Sequence, residues 1–198
     1  MIRDYGVAAR LAATAGGAKT EAMHAEGRVF WVTGLSGAGK TAVSTRLVAH
    51  LAEAGLRPLL LDGDVLREVF GASASHDPEE RRRLSFCYAR LCRELARQGA
   101  TVVCATISMV EAVREWNRAN IPAYVEVYLR ASLELLTAQD NKGLYKKARA
   151  GEISHVVGVD IPAEEPRRPD LVFDRADGLS PDEIARRIID HAGIRKAS

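Results

Sequence analysis

The sequence is poor in the features that mark secreted, membrane or metal-cluster proteins. Cysteine occurs three times, at Cys87, Cys92 and Cys104, an odd count with no C-x-x-C spacing. That pattern argues against a zinc ribbon or a disulfide framework, so the three read as small apolar core residues of a cytosolic chain. No apolar run approaches the ~20 residues that a membrane span needs. Residues 1–27 also lack the apolar centre of a secretory signal. Neither sign of charge dominates: 28 Lys and Arg stand against 26 Asp and Glu, a balance of +2. That is too even for a nucleic-acid surface, in spite of the local run Arg81-Arg82-Arg83. Repeats, low-complexity blocks and convincing linkers are missing as well.

What is there is ordinary globular usage, 47% hydrophobic and 27% charged, over 198 residues, a length that suits one α/β domain. Residues 1–27 are expected to form a loosely ordered extension or one short helix, and residues 28–198 the domain.

Short apolar runs alternate with helical patterns. Residues 29–32 read as a buried strand that ends in a glycine-rich turn, and 42–54 as a helix with Val43, Leu47, Val48 and Leu51 on one face, stopped by Gly55. Leu59-Leu60-Leu61 reads as the next buried strand. Asp77-Pro78-Glu79-Glu80 is a helix start: a cap, proline at the first position and a carboxylate at the capping-box position. That helix is expected to reach Gln98, with Leu84, Cys87, Tyr88, Leu91 and Leu95 on its apolar face and Gly99 closing it. Strands follow at 101–106, 124–129 and 171–173, with helices near 109–119, 133–139 and 181–190. Five such alternations predict a doubly wound, five-stranded parallel sheet with helices on both faces, an α/β three-layer fold.

The strongest chemical signal is Gly34-Leu35-Ser36-Gly37-Ala38-Gly39-Lys40-Thr41, a complete G-x-x-x-x-G-K-[ST] loop between a strand and a helix. Its glycines let backbone N–H groups turn inward on phosphate oxygens, and the following helix adds its positive dipole end. Lys40 is expected to reach the β- and γ-phosphates of ATP, and the Thr41 hydroxyl to bind Mg²⁺. Asp62-Gly63-Asp64, followed by Arg67, leaves the second strand at its carboxyl end, where open parallel sheets bind ligands. These acids can position Mg²⁺ through water or accept the proton of an attacking hydroxyl; the plain alternative is an Asp-Gly turn with Asp64 capping a helix, and capping and catalysis need not exclude each other. The basic stretch from Asn141 to Arg149 is either a solvated face or a lid that closes over the transferring phosphates.

Three motifs, Gly34 to Thr41, Leu61-Asp62-Gly63-Asp64-x-x-Arg67, and Lys142-Gly143-Leu144-Tyr145-Lys146-Lys147-Ala148-Arg149-Ala150-Gly151-Glu152-Ile153, resemble the adenylylsulfate kinase family in sequence and order. The similarity runs from about Arg28 to Phe173. It implies a P-loop fold like that of nucleotide and gluconate kinases, Mg-ATP as donor, and transfer of phosphate to the ribose 3′-hydroxyl of adenosine 5′-phosphosulfate in sulfate assimilation. It further implies Asp64 as base or as metal organiser through water alongside Thr41, with Lys40 and Lys142 acting on the reacting groups. Asp62, Arg67, His76, Arg81, Ile107, Ser108 and Val156 are the acceptor-side positions. For Arg81 the plain alternative is a solvent-facing arginine early in a long helix. Members are commonly homodimers, and a cytoplasmic enzyme without nucleic-acid or membrane partners is expected.

Departures from the family pattern gather on the acceptor side. By an ungapped reading anchored on Gly99, His76 stands where the family has Phe and Leu84 where it has Asn. Val156 and Ala163 replace a stacking aromatic and a nearby Tyr, a change that should cost about 1–3 kcal/mol of base binding. Gln139 replaces the Arg usual before the lid. Together with Thr106-Ile107-Ser108-Met109 and the segment from His155 to Ile161, these changes resemble a side branch that phosphorylates cytidine diphosphoramidate-type conjugates in surface-polysaccharide pathways. Both acceptors stand as expectations. A nucleotide switch is the less favoured class: Asp140-Asn141-Lys142-Gly143 has the wrong order for guanine reading, and Lys40 and Asp64 are both present.

Overall fold

The structure is a computed structural model that describes residues 27–71, 77–140 and 143–195. The expected 1–27 extension therefore lies, but for Gly27, outside the described residues, and so do His76 and Lys142.

Five parallel strands form one sheet in the order β2-β3-β1-β4-β5: β1 Val29–Thr33, β2 Pro58–Asp62, β3 Thr101–Thr106, β4 Tyr124–Arg130 and β5 Leu171–Asp174. β1 is central and buried throughout. Its alternate side chains feed two separate cores, as the two-residue period of a strand requires. Phe30 and Val32 pack with Leu47 and Leu51 of α1 (Lys40–Glu53) and with Ile184 and Ile188 of α7 (Pro181–His191). Val29 and Trp31 pack on the opposite face with Leu84, Tyr88 and Cys92 of α3 (Pro78–Arg97) and Val113 of α4 (Glu111–Asn120). Helix layers on both faces complete the three-layer arrangement. Cys92 and Cys104 lie in this second core and Cys87 packs against it, all three as free thiols.

The local chemistry explains most boundaries. Asp77 accepts from the Glu80 N–H at 2.9 Å and Pro78 opens α3, while Ser180 and Glu183 form a reciprocal capping box at α7. Two expectations need correction. Leu59-Leu60-Leu61 is a strand but not a buried one: β2 pairs only with β3, so as the sheet's edge it leaves Leu59 and Leu60 42% and 39% exposed. The residues after it form a helix, α2 (Gly63–Val69), and its cap is Asp62 rather than Asp64, with the Asp62 carboxylate accepting from the Asp64 N–H at 2.9 Å. Two short helices, α5 (Leu133–Ala138) and α6 (Leu144–Arg149), follow β4.

Candidate functional site

The loop from Gly34 to Gly39 leaves the carboxyl end of β1 and turns directly into α1, whose first residues are Lys40 and Thr41. Gly34 cannot be replaced without moving the sheet, because a Cβ there would stand 2.5 Å from the Leu129 carbonyl oxygen of β4. Gly39, the residue before the helix, has φ +98, a conformation that favours glycine. The Lys40 ammonium arches back over the loop and donates to the Gly34 and Leu35 carbonyls at 3.0 and 2.8 Å. The Thr41 hydroxyl donates to the Asp62 carboxylate at 3.1 Å. Asp62 thus joins the two strand ends, one oxygen capping α2 and the other meeting Thr41. Thr41 and Asp62 are oxygen donors at a helix N-terminus, the hard ligand type that fits Mg²⁺ beside phosphates.

A cleft of about 770 Å³ opens from this point along the carboxyl ends of β1, β2 and β3. It brings together Ser36, Gly37, Gly39, Lys40, Thr41, Asp62, Asp64, Arg67, Arg81, Ile107 and Ser108 from the expected set. Gly34, Leu35 and Ala38 are buried beneath it as scaffold. Val156 does not reach it. Its side chain is 4% exposed in the core, and the neighbouring Val157 lines the cleft in its place. Arg81 is not a solvent-facing arginine: it is half-buried, and its Nε has no hydrogen-bond partner among the described residues. Burial, with the positive charge of Arg67 beside it, pulls the Arg81 guanidinium below the usual arginine range, while Asp160 works in the opposite sense. Two neighbouring guanidiniums, one with an open donor, have the chemistry to hold an anion.

Several wall residues escaped the sequence reading. A buried hydroxyl relay runs from Thr106 to Ser108 (2.8 Å), from Ser108 to Ser85 (2.9 Å) and from Ser85 to the Arg81 carbonyl (2.9 Å). It ties the end of β3 to the start of α3, with Ser108 held at φ +23. Ser85 lies one turn after Arg81, a helical spacing visible in the sequence, but nothing there tells that the turn faces a cleft. Tyr88 also lines the cleft, and burial pushes its phenol up to about 12. Arg114 was equally hidden. It is 2% exposed, donates to the Glu164 carbonyl at 2.7 Å, and pairs with Glu111 and Glu126.

In the basic segment, Lys146, Lys147 and Arg149 of α6 are exposed and do not line the cleft. α6 is nevertheless fastened to the phosphate loop. The buried Tyr145 donates its hydroxyl to the Ser36 carbonyl at 2.8 Å, and the Asp140 carboxylate accepts from the Leu144, Tyr145 and Lys146 N–H groups. Burial would raise the Asp140 carboxyl, but those three N–H groups and the Lys146 charge hold it below the usual range.

Comparison with known proteins matches this geometry. The family model described as adenylylsulphate kinase covers residues 26–174. An adenylyl-sulfate kinase of Deinococcus deserti is 40% identical over 172 residues, 85% of this chain and 92% of its own. A probable adenylyl-sulfate kinase of Aeropyrum pernix is 41% identical over 154 residues, 75% of this chain and 84% of its own. Among solved structures, the APS kinase of Mycobacterium tuberculosis in complex with AMPPNP and APS superposes with a TM-score of 0.78 at 34% identity, covering 85% of this chain and 98% of that one. By its family model, its relatives and its fold, the chain belongs to the adenylylsulphate kinase family.

Proposed function

We propose that this protein is an ATP-dependent kinase that transfers the γ-phosphate to the ribose 3′-hydroxyl of adenosine 5′-phosphosulfate. The observation that carries the reading is one cleft lined by Lys40 and Thr41, by Asp62 and Asp64, and by Arg67 and Arg81. A phosphate donor, a hydroxyl to be activated and an anionic acceptor each find their group there. The Mycobacterium tuberculosis neighbour, in complex with AMPPNP and APS, supports the pairing of donor and acceptor.

In this mechanism the loop from Gly34 to Thr41 cradles the ATP phosphates with its N–H groups, and Lys40 swings from the loop carbonyls to offset charge on the transferring phosphoryl. Thr41 and Asp62, with Asp64 through water, would hold Mg²⁺, which when bound would supply positive charge to offset that of the phosphates. Asp64 orients the acceptor hydroxyl and takes its proton as the oxygen attacks. Arg67 and Arg81 clamp the acceptor's phosphosulfate, with Ile107 and Ser108 forming the wall beside it. His76 and Lys142 keep their proposed acceptor and catalytic roles, and Val156 supports the wall from behind. The test is ADP release by purified protein with Mg-ATP and adenosine phosphosulfate, with the product identified by mass and by ³¹P NMR. A 3′-phosphorylated product is expected; ADP release that does not depend on acceptor would contradict the reading.

One observation favours a second acceptor. Among the described residues Tyr88 is the only aromatic lining the cleft, and the apolar wall around it is aliphatic, with Leu84, Ile107, Met109, Val157 and Ile161 among its members. A smaller pyrimidine, in a cytidine diphosphate-type conjugate, needs less stacking area than adenine.

A further inference from the structure

We propose that Arg175, held in place by Gln139, is a binding residue for the nucleoside moiety of the donor nucleotide. The inference rests on the reading of the phosphate loop as an ATP site and adds the element that receives the base. The 770 Å³ cleft occupies the β2 and β3 side of the phosphate loop, where Asp64, Arg67 and Arg81 lie. A triphosphate seated on the loop with its γ-phosphate toward those residues must carry its nucleoside toward the opposite side, at the ends of β4 and β5.

Arg175 stands on that side. It opens the 3₁₀ turn Arg175–Asp177 directly after β5. Its Nε and Nη2 both donate to the Gln139 side-chain oxygen, at 3.1 and 2.8 Å. Its Nη1 lies 3.5 Å from where a Cβ on Gly39 would stand, so the guanidinium rests against the phosphate loop just ahead of α1. The backbone beneath it is fixed twice: one Asp174 oxygen accepts from the Ala176 N–H at 2.9 Å, and the other from the Arg130 Nε at 2.8 Å. An exposed arginine is ordinarily free to sweep through many rotamers. Here two donors are spent on one neutral oxygen, which orients the planar cation without neutralising it. The phosphates are already served by the loop N–H groups and Lys40. A flat, oriented, exposed guanidinium beside them is suited to stack on a purine.

Gln139 stands just ahead of the basic segment, and the structure brings the guanidinium of Arg175 to it from the turn after β5.

The experiment is isothermal titration of the protein with Mg-AMPPNP and, separately, with Mg-tripolyphosphate, in the absence of any acceptor. Arg175→Ala is expected to weaken AMPPNP about fivefold to tenfold while leaving tripolyphosphate unchanged. Gln139→Ala should shift AMPPNP the same way by a smaller factor. Arg175→Lys keeps the charge but not the plane, so it should behave like the alanine variant. In turnover, KM for ATP rises and KM for the acceptor stays the same. Unchanged AMPPNP affinity in Arg175→Ala, an equal loss of tripolyphosphate, or full recovery by lysine would each overturn the assignment. Failure of the wild type to bind AMPPNP would overturn the ATP-site reading itself. A wrong choice of acceptor touches neither result.

Discussion

At the scale of single residues, Lys40 and the two aspartates after β2 divide the proposed chemistry. Lys40→Ala should reduce phosphoryl transfer to background, since no other described cation is anchored on the loop carbonyls as Lys40 is. Asp64→Asn should lower kcat by about 10²–10⁴-fold with nucleotide affinity retained, and near-wild-type turnover in that variant would remove Asp64 from its role. Asp62 should behave differently. It meets Thr41 and caps α2, so Asp62→Asn should raise the Mg²⁺ concentration needed for half-maximal turnover more than it changes kcat at saturating metal. A magnesium titration of both variants separates the two. The eight-residue loop was legible because every member of the pattern has its own backbone or side-chain duty. The division of labour between Asp62 and Asp64 was not. The two acids stand two residues apart around a glycine, and only the observed turn, with Asp62 at φ −86 and ψ 133, decides which one caps.

At the scale of elements, polar groups buried between elements matter more than their number suggests. Arg114 of α4 is 2% exposed and Glu126 of β4 3% exposed; with Arg118, Asp170 and Glu111 they tie α4 to β4 and to the chain entering β5. The Glu126 carboxyl is pushed up by burial even against the two arginines. Arg114→Met should therefore cost about 3–5 kcal/mol, because it leaves Glu126 in the interior short of a partner. The double variant Arg114→Met with Glu126→Leu should regain part of that loss in urea denaturation. A single-variant cost under 1 kcal/mol would contradict the account. In the sequence, Arg114 lies in a helix full of charges and Glu126 between two valines of a strand, and neither pattern reveals that they face each other. The helix-start signal at Asp77-Pro78, by contrast, was readable, because it carries its cap within four residues and needs no tertiary context.

The link between α6 and the phosphate loop makes a second prediction at this scale. The Asp140 carboxyl is held below its ordinary value in the folded protein, so its contribution is fully present above that ordinary value and is lost as pH falls through the lowered one. Hydrogen exchange at Leu144, Tyr145 and Lys146 should accordingly be slow at neutral pH and quicken, relative to its intrinsic rate, below about pH 4. Asp140→Asn should show faster exchange at neutral pH already. Equal protection in wild type and variant would mean that the cap does not hold the helix.

At the scale of the whole molecule, the rhythm of strand and helix was enough to foresee a parallel sheet between two helical layers. The order of strands was not foreseeable, because it depends on which crossovers run to which side. That is why β2 was read as buried although it is the edge. Leu59 and Leu60, and Val65 of the following α2, are correspondingly exposed. The homodimer that the family resemblance implies is tested by light scattering at micromolar concentration: twice the 21.5 kDa chain mass is expected, and the chain mass alone would contradict it. The acceptor wall is also a property of the whole molecule: α3, the end of β3 and the segment after α6 meet there, and Val157 rather than Val156 turns inward for reasons no local pattern contains.

The central claim is that this cleft phosphorylates adenosine 5′-phosphosulfate, and the direct test is kcat/KM with Mg-ATP for that acceptor beside a panel of cytidine and uridine diphosphate conjugates. The account predicts saturable, acceptor-dependent ADP release with adenosine phosphosulfate and a higher kcat/KM than for any pyrimidine conjugate. A preference for a pyrimidine conjugate by an order of magnitude or more would contradict it, and would mean that the aliphatic wall around Leu84, Val157 and Ile161 had changed the base that the enzyme reads.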